Sequence, residues 1–328
     1  MQAQKNADIF TNAYGFAGQL LVPWKKFALP AKHFRLPGVN MSMKRLLPLV
    51  FLLPLFLCAE EWPKVDIDVK KIESQFKFDK VTNSFTTEHF ELACSKDLAE
   101  EEALRLAIRC ETIYEAVQKM PFWPDKGKRK EGKPSDNKKL KVLISNETEK
   151  GNYNPQVDCA TIHPRNIPKS GLEHEITHQL TVYIYVLFPQ LTEGLAVYME
   201  GITFPKDGKS EAGTAPPEAL KNFKKIEFEG LKKFFLLPRK DFYAQGGLGY
   251  MKSYLVLNYF IEKDPKALHK FLDAIIQIRR PGKNPNDIHE LIEKNFPLLL
   301  NGKTEKEVQQ LMAEHCKKRG VDVAFKGN

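Results

Sequence analysis

The chain is predicted to be an α+β protein, on three observations. Short alternating or β-branched runs at 65–90, 140–145 and 157–163 have the length and residue types of strands. An amphipathic helical repeat fills 97–120, and further helical repeats dominate from about Pro217 onward. Strands therefore concentrate before residue 201 and helices after it. That pattern predicts an α+β lobe over 60–201 with a mixed sheet, and a mainly helical lobe over 202–328.

Taken in order, residues 1–40 read as a leader upstream of the true start, which falls at Met41 or Met43. Met43-Lys44-Arg45 is a short positive segment. Leu46–Leu57 is apolar, and Cys58-Ala59 precedes the acidic pair Glu60-Glu61. This is the pattern of a secretory signal peptide over 41–59, too short to span a bilayer. Cleavage after Ala59 implies a secreted or periplasmic protein. Cys58 offers a lipid anchor as the alternative.

Residues 65–90 suggest strands or an extended arm. In the helix over 97–120, Leu104, Ala107, Cys110, Tyr114 and Val117 share a face. Asp97 is placed to cap it, Glu100–Glu102 suit its first turn, and Pro121 ends it. A lysine-rich polar loop over 126–139 leads to the strand at 140–145, and the strand at 157–163 follows. From Ser170-Gly171 an apolar pattern through Leu172, Ile176, Leu180 and the run 181–188 predicts one buried helix stopped by Pro189. Residues 201–217 form a Gly/Pro/Lys loop placed to overhang a site. Helices are then expected at 250–261, 265–278, 286–296 and 303–318, with Arg280-Pro281-Gly282 as one of the breaks.

Composition narrows the function. With 42% hydrophobic and 28% charged residues the chain is globular and not disordered. Of the net charge of +9, +6 lies in residues 1–59, leaving +3 on the rest and no electrostatic case for nucleic acid. Beyond the leader four cysteines remain: Cys94, Cys110, Cys159 and Cys316. They permit two disulfides in three pairings, or buried free thiols. Their spacing does not match a cysteine metal site.

The chemistry is concentrated in His174-Glu175-Ile176-Thr177-His178. Histidines four apart on a helix lie one above the other, so both imidazoles can reach one ion at roughly 2.0–2.1 Å. Glu175 is about 100° round the helix, within reach of a water at that ion. A third ligand is required, because catalytic zinc sites keep three protein ligands and one open position. Glu193, in Leu191-Thr192-Glu193-Gly194-Leu195-Ala196, is favoured because it opens the next helix and faces back. Gly194 beside it allows the two helices to approach. Glu200, two turns on, competes as a ligand, or else accepts a hydrogen bond from a ligand histidine and orients it. His163 is expected to be structural.

These residues resemble the gluzincins, the thermolysin-like zinc peptidases of the peptidase MA clan. More narrowly, they are similar to a secreted bacterial peptidase MA-like family of uncharacterised function. The resemblance spans roughly residues 85–262, from His89-Phe90-Glu91-Leu92 through 141–145 to Asp241-Phe242-Tyr243-Ala244-Gln245 and the apolar helix after it. Two positions depart from the pattern. Gln190 stands where a tryptophan is frequent, and Val197 where thermolysin has an aspartate. The resemblance implies a zincin-like fold with the cleft between the lobes and Ala160–Ile162 lining it. It implies Zn²⁺ held by His174, His178 and Glu193, and a peptide or protein substrate. Glu175 would be the general base and Tyr243 the oxyanion donor, with Tyr250 in reserve. The alternatives are a catalytically silent zinc-binding scaffold of the cell envelope, or a zinc hydrolase of cell-wall amides.

Overall fold

A six-stranded mixed sheet carries one wall of the molecule. The computed structural model describes residues 65–95, 97–120, 139–147, 151–154, 157–181, 188–202, 209–210, 218–276 and 285–326. All of them fall in one compact unit, Trp62–Asn328. The upstream segment 1–40, the signal-peptide stretch 41–59 with Cys58, most of the lysine-rich loop, and the Arg280-Pro281-Gly282 break lie outside the described residues.

The N-terminal part begins with β1 (Val65–Asp66) and a helix absent from the sequence reading, α1 (Val69–Gln75), capped by the Asp68 carboxylate. The meander β2 (Lys77–Asp79), β3 (Ser84–Thr86) and β4 (Phe90–Cys94) follows. Next is α2 (Glu100–Gln118), with Glu100, Glu101 and Glu102 in its first turn. Asp97 does not cap it: the N-cap residue is Ala99, and no side chain bonds there. The sheet is completed by β5 (Leu140–Ile144), β6 (Asn152–Asn154) and β7 (Cys159–Ile162) in the order β2-β3-β4-β5-β7-β6. The β4–β5 and β5–β7 pairs are parallel and the others antiparallel. One expectation is corrected here. The strand before the motif helix does not line the cleft: β6 pairs along its outer side, and Ala160 and Ile162 are buried in the core.

The motif helix α3 (Gly171–Thr181) packs on β7 and α2. Its predicted continuation falls on 182–187, outside the described residues. At Pro189 a new helix begins, α4 (Pro189–Met199), with the proline at the helix position where a missing N–H costs nothing. The short β8 (Lys209–Ser210) pairs with β1. The expected mainly helical remainder also contains a parallel strand pair, β9 (Lys225–Phe228) with β10 (Asp322–Phe325). Between them lie α5 (Leu231–Phe235), α6 (Arg239–Ala244), α7 (Gly247–Lys263), α8 (Pro265–Ile276), α9 (Pro285–Leu300) and α10 (Glu305–Lys318). A reciprocal Thr304–Glu307 capping box starts α10.

One apolar core joins these elements, from Phe90 and Leu92 of the sheet through Ile176 and Leu195 to Leu257 and Phe271. The four cysteines are free thiols, so of the two expectations the unpaired one describes the structure. Burial pushes the Cys316 thiol up to about 12, which keeps it protonated and inert. No described helix is long and apolar enough to cross a membrane.

Candidate metal centre

The site is built on α3, and α3 is held by polar contacts as well as by its apolar face. Leu172, Ile176 and Leu180 are buried. Thr177 and Thr181 satisfy their hydroxyls within the helix, on the carbonyls of Glu173 and Thr177, both at 2.7 Å. Gln179 donates to the carbonyls of Lys141 and Asp158, at 3.2 and 3.1 Å, tying the helix to the sheet. On another face the buried Glu173 accepts from Arg109 Nε at 2.9 Å and Nη2 at 2.6 Å, which anchors α3 to α2. With these contacts fixed, His174 and His178 project together on the remaining side.

The helix α4 brings in the carboxylate, and all eleven of its residues are buried. Gly194 makes this possible, though not toward α3 as its place in the sequence suggested. A Cβ there would stand 2.8 Å from the Ser253 carbonyl oxygen and 2.7 Å from Leu257 Cδ1, so the close approach is to α7. Gln190, in the tryptophan position, donates to the carbonyls of Phe234 and Leu237 at 2.9 and 2.7 Å. An amide that satisfies two backbone acceptors thus anchors the start of α4 to the α5 turn.

These supports converge three ligand atoms. His174 Nε2 and His178 Nε2 are 3.0 Å apart, and Glu193 Oε2 is 3.4 Å from the first and 3.2 Å from the second. Tetrahedral ligands at roughly 2.0–2.1 Å from one ion stand about 3.3–3.4 Å from each other. The triangle is close to that spacing, and His174, His178 and Glu193 form a cluster among the described residues that could hold one metal ion. Glu200 is not part of it. Its Oε1 accepts from His174 Nδ1 at 2.7 Å, which turns Nε2 of that ring toward the cluster.

The charges follow from these distances. Burial opposes the charged form of His174, but Glu193 and Glu200 outweigh it and raise its pKa well above the ordinary imidazole value. Burial also opposes the Glu193 carboxylate, and the two imidazoles more than compensate, holding it far below the usual range. For Glu175 the balance is reversed: burial dominates the two histidines and raises its pKa.

Glu175 lies in a cleft of about 270 Å³ with the three cluster residues, Tyr243, Tyr250 and the β6 end at Gly151–Tyr153. A Cβ at Gly151 would stand 2.6 Å from Glu175 Oε1, so any larger residue there would displace the Glu175 side chain. The two tyrosines differ. Tyr243 donates to Glu193 Oε1 at 2.7 Å and so holds the oxygen that faces away from the cluster. Tyr250 stacks near His174, with centroids 6.3 Å apart, and its hydroxyl has no hydrogen-bond partner among the described residues. His163 accepts from the Arg165 N–H at 3.0 Å and caps a 3₁₀ turn before α3, a structural role.

Sequence reasoning missed Gly151, the β6 edge and Arg239 in the cleft lining. Only Gly151 carried a local signal, as a glycine preceding a short polar strand. No protein-family model matches the chain, and no curated protein matches it.

Proposed function

We propose that the protein is an exported zinc metallopeptidase of the gluzincin type, its cleft formed in zincin-like fashion by a sheet edge, a motif helix and a glutamate helix. The carrying observation is the assembled triangle of His174 Nε2, His178 Nε2 and Glu193 Oε2 with Glu175 in the same cleft. Zinc, when bound there, supplies a Lewis acid that polarises the scissile carbonyl and acidifies water.

The remaining roles belong to the chain's own side chains. Glu175 accepts a proton from the attacking water as its oxygen bonds to the carbonyl carbon. It then returns that proton to the amine nitrogen as the C–N bond breaks. Burial raises the Glu175 pKa above the ordinary carboxylate value, the direction that makes a carboxylate a better proton acceptor. Glu200 fixes the tautomer and orientation of His174, and Tyr243 fixes Glu193. That engagement passes the oxyanion role from Tyr243 to Tyr250, whose hydroxyl is free to donate. On its outer side β6 has no partner strand among the described residues. An extended substrate can add to that edge, with Gly151 giving close access to Glu175.

The test is Glu175→Gln. The variant should keep about one zinc per chain and lose peptide hydrolysis by about 10²–10⁴-fold. Cleavage at the wild-type rate would remove Glu175 as the base. A zinc-loaded wild type with no chelator-sensitive cleavage of a mixed peptide library would favour the scaffold reading.

A further inference from the structure

Arg239 is the single lysine or arginine that lines the cleft among the described residues; the other charged groups there are the metal cluster and Glu175. It is exposed, and no hydrogen bond or ion pair engages it among the described residues. It is nonetheless held in place. Arg239 and Tyr243 are four apart on α6 and share a face, and the guanidinium carbon sits 5.3 Å from the Tyr243 ring centroid. Tyr243 is in turn fixed by its hydrogen bond to Glu193. A stacked guanidinium thus stands at the wall of the cleft, one side chain removed from the glutamate ligand, with its N–H fork uncommitted.

From this we infer that Arg239 forms a subsite for a carboxylate of the substrate, lying within a few residues of the scissile bond. An extended chain advances roughly 3.3 Å per residue, so a peptide passing the metal cluster reaches Arg239 within a few positions. The planar fork matches a carboxylate in bidentate fashion, and the ring beneath it restricts its rotamers before binding. At an exposed arginine a bidentate guanidinium–carboxylate contact is screened by solvent and is worth about three- to tenfold in affinity. Two sources supply that chemistry, an Asp or Glu side chain and a free C-terminal carboxylate. The first gives an endopeptidase selective for acidic sequences, and the second gives a carboxypeptidase-like preference. The inference rests on the peptidase reading for its substrate class, but the subsite can be measured without turnover.

Matched labelled peptides carrying Glu or Gln at one position, each with a free or amidated C-terminus, separate the sources. Binding is read by fluorescence anisotropy on the zinc-loaded Glu175→Gln protein, and cleavage on the wild type. A carboxylate in one of the two places should tighten binding about three- to tenfold. Arg239→Gln should abolish that difference, and Arg239→Lys should restore part of it, with melting temperatures held within a degree or two. A wild-type background with no carboxylate preference, or a preference that persists in Arg239→Gln, would overturn the subsite. Charge-blind cleavage would sink the subsite and leave the peptidase reading standing. Arg239-dependent binding of acidic peptides without any cleavage by the wild type would do the reverse. Neither binding nor cleavage would overturn both.

Discussion

Replacing Gly194 by alanine sets two known effects against each other. Inside a helix alanine is favoured over glycine by about 1 kcal/mol, so propensity alone calls for a more stable protein. At this position the new Cβ would lie 2.8 Å from the Ser253 carbonyl oxygen and 2.7 Å from Leu257 Cδ1, whereas ordinary contact begins at 3.4 Å. The leucine methyl can turn away. The carbonyl belongs to the α7 backbone and cannot yield unless α4 and α7 separate by about half an ångström, in a region where every residue of α4 is buried. Overpacking of this kind costs about 1–3 kcal/mol, which exceeds the propensity gain in most of that range. Gly194→Ala should therefore destabilise the metal-free protein by about 1 kcal/mol, the middle of a net range of about 0–2 kcal/mol. It should also weaken zinc binding, because Glu193 is the adjacent residue. Urea unfolding in the presence of a chelator, with the midpoint compared at equal slope, measures the first effect, and competitive zinc titration measures the second. A Gly194→Ala variant at least as stable as the wild type, with unchanged zinc affinity, would show that the α4–α7 contact is not tight.

Other substitutions probe separate parts of the site. Gly151→Ala should push the Glu175 carboxylate aside, keeping zinc stoichiometry while the hydrolysis rate falls by about tenfold or more; an unchanged rate would show that the β6 edge does not constrain the base. Tyr243→Phe should lower zinc affinity by about tenfold, whereas Tyr250→Phe should keep zinc and cut kcat by about 10²-fold. The opposite pattern in metal titration and steady-state kinetics would exchange the two roles. Away from the cleft, His315 is buried with Nε2 donating to Asn258 Oδ1 at 2.9 Å. Burial, only partly opposed by Glu262, lowers its pKa to about 4. Between about 6.5 and 4 the unfolded chain binds a proton that the folded chain does not. Stability should then be full above pH 6.5 and fall by roughly 2–3 kcal/mol as the pH drops to 4. His315→Gln should flatten that slope in urea midpoints measured from pH 7.5 to 4.5, and an unaltered slope would assign the acid loss elsewhere.

The parts of this architecture legible in the sequence are those set by local periodicity. The i, i+4 spacing of His174 and His178 places both on one helix face regardless of what the helix packs against, and the structure brings Glu193 to them. The helices over 100–118, 247–263 and 305–318 were visible because their apolar repeats run for several turns. What escaped is long-range or short. The β9–β10 pair joins segments almost a hundred residues apart, and nothing in Lys225–Phe228 marks Asp322–Phe325 as its partner. The edge strand β6 is the three residues Asn-Tyr-Asn, without the apolar alternation that identifies a strand. Gly194 was legible as a close-approach residue, but its partner helix was not, because a missing side chain does not say which neighbour fills the space. Tyr243 was legible as a cleft residue, while its bond to Glu193 depends on how α6 stands against α4.

The most direct measurement of the central claim is anomalous diffraction at the zinc edge from crystals of the zinc-replete protein. One peak should appear about 2.0–2.1 Å from His174 Nε2, His178 Nε2 and Glu193 Oε2, with no direct contact to Glu200. Absence of a peak at that point, or a peak held by a different set of side chains, would contradict the account.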